Sequence, residues 1–178
     1  MVSKSKRSFS SWSKEKTLPE IANFSPNKLT SQHFWDQMDT VTDSMIEGIE
    51  KDLTVALINK YNITLDTLFY DTTNFFTFID TANERSSLTK RGHNKQKRND
   101  LRQFSLALLV EKEFFLPLSS KVYDGNINDN SLFKEYLPYI FKKFREINLV
   151  LADLTIVFDK GNNSKDVFSK IDCGKIHY

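Results

Sequence analysis

The order of elements legible in this chain predicts an α/β fold with a mixed sheet. Three strands run in antiparallel succession, a helix follows, and a fourth strand returns parallel to the first. Three observations carry that expectation. The β-branched and aromatic run "TLFYDTTNFFTFI" (67–79) is followed by "FSLALLV" (104–110) and "FFLPLSSKVY" (114–123), the last two separated only by "EKE" as in a hairpin. Leu132, Phe133, Tyr136, Leu137, Ile140 and Phe144 then recur on one helical face. A short apolar run, "LTIVFD" (154–159), comes next and reads as a buried strand.

The remaining elements fall into place around these. Residues 1–30 are Ser- and Lys-rich with Pro19 and Pro26, and read as a flexible basic lead-in. Residues 31–62 read as an N-terminal helical arm, with capping-box spacing in "SMIE" (44–47) and Ile46, Ile49, Leu53 and Leu57 on one face. Residues 63–178 form the core. Within it, Pro117 predicts an edge or a bulge in the third strand. "DGNINDNS" (124–131) is a turn ending in helix caps. Pro138 predicts a kink, or two helical pieces, in the helix that follows. "GNNS" turns into a last helix near Lys165, and "KIHY" opens a further strand.

Composition bounds the class. With 178 residues, 39% hydrophobic and 27% charged, the chain can bury one core, and 15 Phe make that core bulky. One cysteine, Cys173, excludes an internal disulfide and fits a reducing compartment. No apolar run approaches the roughly 18 residues of a membrane span. The basic N-terminus is not followed by an apolar stretch, so no secretory signal is read and a cytoplasmic location is expected. With 5 Gly and no GxxxxGK[ST], a phosphate-cradling loop is not expected. His33, His177 and Cys173 have no metal-ligand spacing, which argues against zinc.

Charge is concentrated. Arg85, Lys90, Arg91, Lys95, Lys97, Arg98 and Arg102 face a single acid, Asp100, within 18 residues. Such clustering points to a polyanion more strongly than the net charge of +2 does.

Three antiparallel strands, a helical crossover and a parallel strand are the opening of a ribonuclease H-like sheet. In that topology the first and fourth strands are neighbours, which brings together Asp71 and Asp159, 88 residues apart. A lone aspartate at a strand end is commonly an Asx turn. A pair on adjacent strands beside a basic segment favours a shared Mg²⁺ or Mn²⁺, since hard oxygen ligands select such ions and two of them can drive phosphoryl transfer. Glu135 is a further carboxylate on the crossover helix and reads mainly as a solvated face. Asp124 and Asp129 belong to a turn, His93 to a loop, and Trp12 and Trp35 to a core or an interface.

"LFYDTTNFFTFID", "KRGHNKQKRNDLRQFSLALLV", "PLSSKVYDGNINDNSLF" and "TIVFDKGNNS", in that order, resemble the catalytic core of bacterial insertion-sequence transposases of the Asp-Asp-Glu (DDE) type. The resemblance spans roughly residues 31–178. It implies a metal-dependent DNA transposase that cuts transposon ends and joins them to target DNA. By position, Asp71 and Asp159 are its first two catalytic aspartates and metal ligands. Arg91, His93, Lys95, Lys97, Arg98 and Arg102 are its DNA-binding residues. The family's third carboxylate lies on a helix well beyond the second aspartate, whereas this chain ends 19 residues past Asp159. The expectation is therefore a fragment, inactive and marginally folded alone, acting as a homodimer or with full-length transposase. Two alternatives stay open: a non-catalytic DNA- or subunit-binding module, and a ribonuclease H-like nuclease using Asp71, Glu135 and Asp159.

Overall fold

The computed structural model describes residues 5–80, 82–94, 96–147, 153–174 and 176–178. Contacts divide the chain into two compact units, up to Ile49 and from Glu50 onward. In the first unit, the stretch expected as a lead-in carries helix α1 (Lys6–Lys14) and the one-turn helix α2 (Leu18–Ile21). Aromatic packing organises it. Phe9 meets Trp12 at 5.0 Å and stands edge-on to Phe34 at 5.4 Å, while Lys6 lies 3.7 Å over the Trp35 ring.

The arm is two helices, α3 (Ser31–Asp39) and α4 (Asp43–Tyr61). The break has a local cause, because the Thr40 hydroxyl turns back to the Gln37 carbonyl at 2.7 Å and competes with the helical ladder. Thr42 Oγ1 then accepts from the Met45 amide at 3.3 Å. The cap of α4 thus lies two residues before the serine that the capping-box spacing marked.

In the second unit, β1 (Thr67–Thr77), β2 (Arg102–Glu111), β3 (Pro117–Asp124) and β4 (Thr155–Phe158) form one sheet in the order β3-β2-β1-β4. β2 is antiparallel to both neighbours, and β4 is parallel to β1. This is the ribonuclease H-like mixed sheet that the element order predicts. Pro117 opens β3 on the sheet edge, and the β2–β3 register shifts between Leu109 and Val110, so edge and bulge coincide there. Beyond β4, His177 makes a parallel bridge to Thr155, the first step of the further strand expected at "KIHY".

The crossover helix α5 (Asp129–Glu146) and the last helix α6 (Lys165–Gly174) supply apolar side chains to the core. Phe133 of α5 stacks on Tyr70 at 4.1 Å, which makes Tyr70's side of the sheet the inner face. α5 is one helix through Pro138, which is exposed.

Side chains of β2 alternate, but against their hydropathy. Gln103, Ser105 and Glu111 are buried on the inner face with Ala107 and Leu109, whereas Phe104, Leu106, Leu108 and Val110 are only half-buried on the outer one. The edge of β3 is closed by polar groups. Glu50 accepts from the Ser120 amide and hydroxyl and from Lys143 Nζ at 2.7 Å, and Lys143 and Thr54 also donate to the Leu118 carbonyl.

Burial first, and neighbouring charge second for Tyr70, holds the phenols of Tyr70, Tyr123 and Tyr136 well above the ordinary tyrosine value. A folded-state pKa above the unfolded one contributes stability that is whole below the unfolded value, near 10, and lost as pH rises beyond it. These three phenols therefore ionise together with alkaline unfolding. Phenolate absorbance and circular dichroism, followed over one pH series, should share that step. Full ionisation of all 6 tyrosines with the helical signal intact would contradict it.

Candidate metal and nucleic-acid site

Asp71 sits in the middle of β1, with Thr72, Thr73 and Asn74 continuing the strand after it, so a turn does not explain it. It pairs with Leu108 of β2 and is exposed on the outer face. Alternation turns Tyr70 inward and Asp71 outward, and water relieves the desolvation cost of the carboxylate.

Asp159 is the residue directly after β4. The last β1–β4 pair is Tyr70 with Phe158, so the register leads next to Asp71 and Asp159. Asp159 keeps an extended backbone (φ −64°, ψ 145°) and is exposed, like Val157 two residues before it. Its Oδ1 accepts the Gly161 amide at 2.7 Å as the cap of a short 3₁₀ turn, Lys160–Asn162. That bond orients the carboxylate and occupies one oxygen.

The basic segment is an ordered excursion between β1 and β2. Lys90 exchanges backbone hydrogen bonds with Gln103, both at 2.9 Å, and its ammonium pairs with Asp124. Asn94, buried, accepts from the Arg98 amide at 2.9 Å.

Two of the cations expected on DNA have other work. Arg98 grips Asp100 with two bonds of 2.9 Å, which holds the Asp100 carboxyl below its usual range. Arg102 donates to the carbonyls of Asp80, Asn83 and Ser86 and so pins the excursion's first turn. A guanidinium among backbone carbonyls is a structural anchor, and basic composition alone does not distinguish it from a phosphate ligand. Arg91, His93 and Lys97 are exposed. Lys95 lies outside the described residues.

The other candidates separate. Glu135 is exposed on α5 beside Lys121 and Tyr139, and α5 packs on the inner face, away from Asp71. Asp124 is taken by Lys90, and Asp129 accepts from the Tyr123 hydroxyl at 2.7 Å. Among the described residues no three His, Cys, Asp or Glu side chains form a group that could hold a metal ion. Trp12 and Trp35 belong to the aromatic packing of the first unit, where Trp35 is 52% exposed. No helix among the described residues is long and apolar enough to cross a membrane.

No family model and no curated protein sequence matches the chain. Among solved structures it is similar to a Mos1 transposase paired-end complex with left transposon end (TM-score 0.44, 8% identity, covering 98% of this chain and 57% of that one). It is similar to a Mos1 mariner paired-end complex with Mn (TM-score 0.43, 9% identity, 99% and 59%) and to a pre-cleavage Mos1 transpososome (0.42, 9%, 98% and 58%). The chain thus spans less than 60% of the length of each of these chains, and the likeness concerns the course of the backbone.

Proposed function

We propose that this chain holds part of the catalytic core of a DDE-type DNA transposase. On this reading Asp71 and Asp159 are two carboxylates of a divalent-cation site, and Arg91, His93 and Lys97 face the DNA backbone. One observation supports it above the others: the parallel β1–β4 register leads to both aspartates as consecutive neighbours, exposed, at the end of β4.

The donor set suits Mg²⁺ or Mn²⁺, because both groups are hard anionic oxygens and Asp159 keeps Oδ2 clear of its bond to Gly161. A cation held by Asp71 and Asp159 would supply Lewis-acid stabilisation of phosphoryl transfer. The chain's own residues contribute placement: the β1 ladder fixes Asp71, the Gly161 amide orients Asp159, and the anchored excursion presents Arg91 and Lys97. Two carboxylates hold such a cation weakly, so the isolated chain binds DNA without cutting it.

Duplex DNA binding, measured by fluorescence anisotropy across a salt series, tests the assignment. Arg91→Ala and Lys97→Ala should each flatten the slope of log K against log salt by about 0.9. Asp71→Asn should leave the slope unchanged. If the slope survives both cation substitutions, this segment is not the DNA contact. Mg²⁺-dependent cleavage by the chain, lost on Asp71→Ala, would show that two carboxylates suffice.

A further inference from the structure

Helix α4 changes character part-way along its length. Every residue from Asp43 to Ile49 is exposed, the apolar ones included: Met45, Ile46 and Ile49 are 54, 54 and 64% exposed. From Glu50 onward the helix is fastened. Glu50 accepts from Ser120 and from Lys143, Lys51 pairs with Glu146 at 3.6 Å, and Thr54 donates to the Leu118 carbonyl at 2.9 Å. Those side chains tie one face of α4 to β3 and α5 within little more than a turn. The division of the chain into two compact units falls at the same point, between Ile49 and Glu50.

Gly48 stands inside the helix, just before that point. A Cβ built there would meet nothing within 4 Å, so space does not call for glycine as it does at Gly92 and Gly125. A left-handed backbone does not call for it either, since φ is not positive. What remains is its effect on the helix. Glycine in a helix interior is about fivefold less favourable than alanine. Two turns of helix do not persist alone in water, and packing normally holds such a piece. Asp43–Ile49 has the Thr42 cap at its start but no buried face, so its helicity propagates from the fastened half. Gly48 is the link through which that propagation must pass.

We propose that Gly48 is a hinge within α4. The chain before it reorients as the helix bends there, while the helix after it stays on the sheet. The contacts that hold α4 begin only beyond the bend, so bending breaks none of them. This device needs no ligand, and it stands or falls independently of the function proposed above.

Two measurements on the whole chain decide the matter. In the first, spin labels are placed at Ser44→Cys and Asn59→Cys, both exposed, with the exposed Cys173 changed to Ser. A straight helix sets these two backbone positions about 22 Å apart. The parent should give a broad distance distribution with a population shorter than the straight form. Gly48→Ala should move the ratio of straight to bent forms about fivefold towards straight. Ala56→Gly, the same loss of propensity placed in the fastened half, should leave the distribution as it is. A single narrow distance in the parent overturns the hinge, as does an equal broadening by Ala56→Gly. In the second, amide hydrogen exchange is followed along α4 without labels. Amides from Glu47 to Lys51 should exchange faster than those from Leu53 to Leu57, and Gly48→Ala should slow only the first group, by about fivefold. Equal protection of the two groups in the parent, or no response to Gly48→Ala, also overturns it.

Discussion

Gly125→Ala lowers the melting temperature by about 10 °C, the consequence of a steric cost on the order of 3 kcal/mol. The reason is space and not backbone freedom, since no described glycine has a positive φ. A Cβ on Gly125 would fall 2.0 Å from the backbone oxygen of Gln103 and 2.6 Å from its carbonyl carbon. Neither atom can yield without breaking the bridge between Gln103 and Lys90. Gly92→Ala should act alike, because its Cβ would meet the Gly125 oxygen at 2.0 Å. Both glycines sit where the basic excursion crosses the ends of β2 and β3. Overpacking there should free the excursion and weaken DNA binding while Asp71 and Asp159 stay in place. Thermal melts of the two variants, paired with the anisotropy series, measure both effects. A melting temperature within about 2 °C of the parent's would show that the crossing is looser than described.

Glu111→Ala costs about 3 kcal/mol, the second large effect expected. Glu111 is fully buried at the end of β2, and its carboxylate plugs the turn into β3. Oε1 accepts the amides of Phe114 (2.7 Å) and Leu116 (3.0 Å), and Oε2 accepts that of Glu113 (2.7 Å). Three charge-assisted bonds compensate the burial of the charge, and deleting the side chain leaves three turn amides without acceptors. The same turn holds Phe115 at φ 55°, in the left-handed region that a non-glycine residue enters at a cost. Glu111→Gln, which keeps the shape but sets an NH₂ against an N–H, should lose roughly half as much. Urea denaturation of the pair gives the ranking. Equal stability of parent and Glu111→Ala would mean that water replaces the carboxylate in the turn.

These two residues also show where sequence reading stops. The hairpin was legible because "EKE" is too short for anything but a tight connection between apolar runs. That one of its glutamates turns inward was not, since a buried carboxylate and a solvated one look identical in a string of letters. The sheet order followed from the sequence of strand, strand, strand, helix, strand and the rule for parallel crossovers, which also made Asp71 and Asp159 neighbours.

The facing of the strands was less accessible. In "RQFSLALLVE" the polar residues at alternate positions are the buried ones, because Gln103 ties the excursion to the sheet and Glu111 the turn. Hydropathy alternation alone would have turned β2 over. The basic segment was visible as composition, but only coordinates separate Arg102, held by three carbonyls, from Arg91 and Lys97 on the surface.

The pairing of Asp71 with Asp159 around one cation is tested most directly by titrating Mn²⁺ into the chain and following the paramagnetic broadening of nearby amides. One weak site is expected, with a dissociation constant on the order of millimolar, broadening both the Tyr70–Thr72 stretch and the Asp159–Gly161 turn. Asp71→Asn and Asp159→Asn should each abolish it, with folding unchanged, and Glu135→Gln should leave it intact. Mn²⁺ broadening that ignores both aspartate substitutions, or that disappears in Glu135→Gln, would contradict a site shared by these two strands.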